Sequence, residues 1–171
     1  MDLKKVIADI PDFPKPGILF RDITPITEDP AAYRVAIDGL AGLLEGCEFD
    51  SFAAVESRGF IVGGPLGLDM NKGMILVRKK GKLPRATVEE SYELEYGSAV
   101  IEVHTGCFKP GQKVIVIDDL LATGGTAAAC GRLVRKCGAE VAGYLFLVEL
   151  EDLKGRELLA DAPVFSLVKY A

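Results

Sequence analysis

Apolar residues recur along this chain with two different periods. Four short runs are apolar at nearly every position: FAAVE from Phe52, GMILV from Gly73, KVIVID from Lys113 and VAGYLFLVEL from Val141. Runs apolar on both faces predict strands covered on both sides, and the helical stretches between several of them favour a parallel sheet flanked by helices. A shorter run, PVFSLV from Pro163, predicts an edge strand. From Pro30 to about Glu45 the helical period returns, and near the start Leu3, Val6, Ile7 and Ile10 show it too, with Asp2 placed to cap a first helix. Pro11, Pro14 and Pro16 in PDFPKPGILFRDITP forbid a continuing helix, so that segment is expected to be extended or looped. Between the second and third runs, ATVEESYELEYGSAVIEV alternates polar and apolar residues, as a hairpin or long flap does. The fold class predicted is α/β with a mostly parallel central sheet.

Length and composition then set limits. A chain of 171 residues with 49% apolar content fills one core, so one domain is expected. A formal net charge of -5 argues against binding nucleic acid through bulk electrostatics, so an anionic substrate must meet local donors. Cys47, Cys107, Cys130 and Cys137 form no CxxC pair and His104 is the only histidine, which makes a zinc site unexpected. With no signal peptide and no apolar run of membrane-spanning length, the expectation is a cytoplasmic protein with reduced thiols, bound neither to membrane nor to nucleic acid.

The stretch VIVIDDLLATGGT, Val114 to Thr126, carries the chemistry. In a parallel sheet, ligands sit beyond the carboxyl ends of the strands, where Asp118 and Asp119 fall. Ala122, Thr123, Gly124, Gly125 and Thr126 follow, leading into a helix with Leu133, Val134 and Cys137 on its apolar side and an expected stop at Gly138. Free amides at a helix start carry partial positive charge and suit a phosphate. The stretch lacks both the lysine of a P-loop and the GxGxxG spacing of a dinucleotide-binding module. Carboxylates beside such a cradle repel a bare polyphosphate but accept hydrogen bonds from a vicinal diol. A ribose 5-phosphate satisfies both halves; an ordinary helix cap after a solvated strand end is the alternative.

The same stretch resembles the phosphoribosyl pyrophosphate signature of the type I phosphoribosyltransferases. PDFPKPGILFRDITP, ESRGF, VRKKGKLP, SYELEYG and VELEDLKGRELL resemble, in order, segments of members acting on adenine, so the likeness covers nearly the whole chain. The resemblance implies one domain over residues 1–171, with an N-terminal hood and base-recognition segment over about 1–30 and a flexible flap over about 83–104. It implies a purine-salvage reaction in which adenine and 5-phosphoribosyl 1-pyrophosphate give AMP and pyrophosphate. Magnesium is implied as cofactor, held mainly by the substrate with no direct protein ligand.

Asp118 and Asp119 would then bind the ribose hydroxyls, and Ala122, Thr123, Gly124, Gly125 and Thr126 the 5-phosphate. Glu56, Ser57 and Arg58 resemble the family's pyrophosphate loop, in which a cis peptide often precedes the arginine position. Arg78, Lys79 and Lys82 would meet the same pyrophosphate, although alone that cluster reads as a solvated turn. Part of the cluster crosses a dimer interface in relatives, so a homodimer is implied. Glu95 would exchange a proton with adenine, Tyr96 would order the closed flap, and Arg58 would complete the catalytic set; outside the resemblance, Glu95 and Tyr96 read equally as residues of an exposed hairpin. Backbone groups around Leu19 and Arg21 would read the base while Phe20 packs on its ring, with Asp22, Thr24 and Pro25 fixing the segment's shape. His104 reads as a structural histidine, and Lys154, Gly155 and Arg156 match a family segment without an assigned role. A regulatory homologue would need a basic face or added domain, and a xanthine-specific enzyme is the nearer rival.

Overall fold

Residues 1–93 and 97–171 are described by the structure, a computed structural model, so Glu95 and Tyr96 lie outside the described residues. The chain opens with a 3-10 turn at Leu3–Lys5, where the Asp2 carboxylate accepts from the Lys4 amide at 3.1 Å. Strand β1 (Ala8–Pro11) follows and pairs antiparallel with β2 (Leu19–Asp22). The helix expected to run through Ile10 is therefore replaced by one capped turn and a strand. Its apolar set is too short to bury a helix: Leu3 and Ile7 enter the core, while Ile10 stays 38% exposed and lies opposite Phe20 in the ladder.

A short helix, α1 (Thr24–Glu28), leads to α2 (Pro30–Leu43), where Pro30 sits in the first turn and Asp29 caps the Ala31 amide at 2.8 Å. Then come β3 (Ser51–Val55), α3 (Arg58–Asp69), β4 (Gly73–Lys79), β5 (Thr87–Glu93), β6 (Ser98–His104), β7 (Lys113–Leu121), α4 (Gly125–Lys136) and β8 (Glu140–Leu150). Two 3-10 turns, Glu151–Leu153 and Gly155–Leu159, precede β9 (Val164–Tyr170).

The large sheet has the order β5-β6-β4-β3-β7-β8-β9. In the run β4-β3-β7-β8-β9 all neighbours are parallel, and β9 is an edge strand as its sequence predicts. The alternating region forms the antiparallel pair β5–β6, joined to β4 only opposite Arg78 and Lys79. Both faces of the centre are dry, which is why the strands read as unbroken apolar runs. Ala54, Ile115 and Ile117 pack with α2 and α3 residues such as Leu40 and Leu66, while Ala53, Val114 and Val116 pack with α4 residues such as Cys130 and Leu133.

Candidate active site

The carboxyl ends of β3 and β7 open side by side, because Ser51 pairs with Val114 and Ala54 with Ile117. Past β7 the chain turns through Gly124, whose φ of 87° is open to glycine at little cost, and enters α4. The turn and Asp118, Asp119, Arg58 and Phe146 enclose a cavity of about 200 Å³. All of Ala122, Thr123, Gly124, Gly125 and Thr126 line it, so the expected phosphate residues form one wall. The Thr126 hydroxyl donates to the Tyr92 hydroxyl at 3.3 Å, tying β5 to this loop.

Asp119 is buried, and its Oδ2 accepts from Arg58 Nε at 2.6 Å. Asp118 Oδ1 accepts from the Asp119 amide at 2.8 Å. Burial, then the neighbouring Asp119 charge, push the Asp118 carboxyl well above its usual range, with Arg58 opposing them. Gly59 explains how Arg58 reaches this place. A Cβ there would stand 2.9 Å from the Ile117 carbonyl oxygen and 3.2 Å from Asp118 Oδ1, so a glycine lets α3 begin against the end of β7. The Arg58 guanidinium also lies 5.6 Å from the Phe20 ring centroid, linking the N-terminal segment to the carboxylates.

A second cavity, of about 410 Å³, shares Arg58, Asp118 and Asp119 with the first. Its remaining lining is Glu56, Ser57, Arg78, Lys79 and Lys82. The Glu56–Ser57 peptide is cis. Arg78 Nε donates to Glu56 Oε2 at 2.8 Å and Lys82 Nζ stands 3.5 Å from Oε1, so the Glu56 carboxylate serves this side as a partner of the cations. Burial alone would raise Glu56, but the Arg78 hydrogen bond, the Lys79 amide and the nearby charges outweigh it and hold the carboxyl below its usual value.

Glu102, which the sequence does not single out, organises this side from beneath. Although buried, its Oε1 accepts from the Lys82 and Leu83 amides, each at 3.0 Å. It lies opposite Arg78 in the β4–β6 ladder. Its signal was lost because a glutamate in an alternating strand looks like a solvated one.

Leu19, Phe20 and Arg21 sit together on β2, whose outer edge has no strand beyond it among the described residues. Phe20 packs edge-on against Phe13 at 5.1 Å, and Leu19 is 45% exposed. The Arg21 side chain turns away to pair with Asp9 and cover the Tyr170 ring at 3.9 Å, leaving only its backbone for a ligand; none of Leu19, Phe20 and Arg21 lines the two cavities. Asp22 accepts from the Thr24 amide at 3.0 Å and from its hydroxyl at 2.8 Å, as expected of a shape-fixing residue. His104 has a partner its sequence context did not suggest, Arg85, at 2.9 Å.

Residues 23–169 match the phosphoribosyl transferase domain family. The chain is 51% identical to the adenine phosphoribosyltransferase of Synechococcus sp. over 99% of both chains, and 53% identical to that of Sorangium cellulosum over 99% of this chain and 87% of the relative. Among solved structures, the adenine phosphoribosyltransferase of Thermoanaerobacter pseudethanolicus superposes with a TM-score of 0.96 at 47% identity, covering 98% of each chain. The Saccharomyces cerevisiae enzyme, complexed with an imino-altritol bisphosphate and adenine, gives a TM-score of 0.91 at 41% identity over 96% of each chain.

Proposed function

The chain belongs to the phosphoribosyltransferase family, and on that premise we propose that it converts adenine and phosphoribosyl pyrophosphate to AMP and pyrophosphate. The observation that carries this reading is the meeting of two cavities at Asp118, Asp119 and Arg58, one walled by amides and hydroxyls and the other by cations. A substrate with a phosphate at one end, a diol in the middle and a pyrophosphate at the other fits that order of groups. Adenine as the acceptor is supported by the identity to relatives of that specificity.

The chain's own residues then divide the work. The loop from Ala122 to Thr126 binds the 5-phosphate through its amides and hydroxyls, and the aspartates accept from the ribose hydroxyls. Adenine N9 attacks the anomeric carbon as the bond to pyrophosphate breaks, and positive charge grows on the ribose. The carboxylates favour that charge, while Arg78, Lys79 and Lys82 meet the leaving group. Glu95 takes the proton from adenine, and Tyr96 with the flap keeps water from the ribosyl cation.

Among the described residues, no three acidic, histidine or cysteine side chains cluster as a metal cage. Magnesium is proposed to come with the substrate, held by its oxygens, and it would neutralise the pyrophosphate. The exposed apolar side chains Ile61 and Leu68 on α3 and Leu76 on β4 support a homodimer. The four free cysteines support a cytoplasmic location, and among the described residues no helix is long and apolar enough to cross a membrane.

The test is pyrophosphate release from phosphoribosyl pyrophosphate and magnesium, with adenine, hypoxanthine, guanine and xanthine offered separately. Release with adenine alone is expected. Release with a different base overturns the specificity, and binding without release favours a regulator.

A further inference from the structure

The segment Lys154–Arg156 has no part in the reaction described above, yet its backbone lies against the loop that does. A Cβ on Gly155 would stand 2.3 Å from the Ala122 carbonyl oxygen and 2.8 Å from Leu121 Cδ1. From the other side, a Cβ on Gly124 would stand 2.5 Å from the Gly155 carbonyl oxygen. Two glycines thus let two backbone segments touch directly, and the phosphate loop rests on Gly155. A loop that must point several amides at one anion needs such a floor, since a misplacement of a fraction of an ångström changes every donor distance together.

The next residue fixes the floor. Arg156 Nε donates to Glu149 Oε1 at 2.5 Å and its Nη2 donates to Glu149 Oε2 at 2.7 Å, a two-pronged pair with a buried carboxylate. Arg156 also donates from Nη1 to the Val164 carbonyl at 2.7 Å and from Nη2 to the Ser166 hydroxyl at 2.9 Å; that hydroxyl donates in turn to Glu149. Glu149 lies opposite Leu121 in the β7–β8 ladder, and Ser166 belongs to β9, so the network is anchored in the sheet itself. Lys154, at a φ of 53°, turns the chain into this position.

We propose that Arg156 is a positioning residue for the 5-phosphate, holding Gly155 against Ala122 and Gly124 through its bonds to Glu149, Val164 and Ser166. It never touches the ligand. The proposal rests on the reading of Ala122–Thr126 as the phosphate loop, and the experiment separates the two.

Ribose 5-phosphate and inorganic pyrophosphate are titrated separately into the wild-type protein and Arg156→Gln, with KM for both substrates measured alongside. The expected result is a loss of about tenfold in ribose 5-phosphate affinity, the scale of one charge-assisted hydrogen bond put out of place. Pyrophosphate affinity should change by less than about twofold, and KM should rise for phosphoribosyl pyrophosphate and not for adenine. An unchanged ribose 5-phosphate affinity, or equal losses for the two ligands, overturns the proposal. Failure of the wild-type protein to bind ribose 5-phosphate, or binding that survives Gly124→Val, overturns the loop reading itself and the proposal with it. Ser166→Ala keeps the fork onto Glu149 and covers the case in which Arg156→Gln does not fold. Its expected loss is about threefold for ribose 5-phosphate, about one weak hydrogen bond, and no loss there also overturns the proposal.

Discussion

Arg58, at the first turn of α3, donates Nε to Oδ2 of Asp119, at the end of β7, across 2.6 Å. Asp119 thereby takes the direct ion pair with Arg58, whereas at Asp118 burial and the Asp119 charge outweigh the opposing charge of Arg58. In Asp118 the folded value is raised, so keeping this carboxyl charged in the fold costs stability, a cost absent below its ordinary 3.8 and growing as pH rises from there to the higher folded value. Asp118→Asn should therefore raise the melting temperature at neutral pH, by about 2–4 °C per kcal/mol relieved. The same change should weaken phosphoribosyl pyrophosphate binding far more than adenine binding. Calorimetry with each substrate checks both halves, and equal effects on the two substrates would remove the ribose assignment.

Glu56 has the opposite sign. Its folded value is lowered, so its contact with Arg78 is fully stabilising above the carboxyl's ordinary 4.5 and is lost as pH falls through the lower folded value. Glu56→Gln is expected to be less stable than wild type at neutral pH, with the gap closing in acid. Urea unfolding across that range measures it; a gap independent of pH would show that the charge is not the source.

Glu102→Gln should leave ribose 5-phosphate binding intact and weaken pyrophosphate binding by about tenfold, because the Lys82 and Leu83 amides lose a charged acceptor. Parallel titrations of the two ligands decide it. A loss shared by both would make Glu102 a general stabiliser.

Gly124→Ala forces a side chain onto a residue with a φ of 87° and places its Cβ 2.5 Å from the Gly155 carbonyl oxygen. A cost of about 2 kcal/mol or more is expected from the strain alone. Ribose 5-phosphate affinity should fall with it, whereas Gly125→Ala, which meets nothing within 4 Å, should be mild by comparison. Similar melting temperatures and affinities for the two variants would refute the argument.

For Glu95→Gln, the expectation is a fall in turnover of about 100-fold or more with modest change in substrate binding. Single-turnover kinetics with saturating substrates isolates that step, and an unaltered rate excludes Glu95 from proton transfer.

The parallel sheet could be read from the chain because strands dry on both faces show it in every residue, as Phe52–Val55 and Val114–Ile117 do. The strand-turn-helix around the proposed phosphate loop was equally visible, since strand, acid pair, glycines and helix follow each other within one short stretch. The N-terminal turn was not, because the partner that makes Ala8–Pro11 a strand lies at Leu19–Asp22, and a period carried by few apolar residues cannot report a later neighbour. Glu102 and Arg156 escaped for a related reason. Each works through atoms brought near by the fold, and a charged residue taken alone looks like surface.

The pairing of β3 with β7 sets the order in which the molecule can assemble. Arg58 and Asp119 are 61 residues apart, and every residue of the cation cavity other than the aspartates precedes β5. A growing chain that has reached the end of β6 has made Glu56, Arg78 and Lys82 but has no β7 to hold α3 in place and no turn into α4 to wall the other cavity. Both cavities take residues from β7 onward, so no N-terminal part of the chain holds a complete binding site, and ligand binding requires the whole sheet centre to be in place.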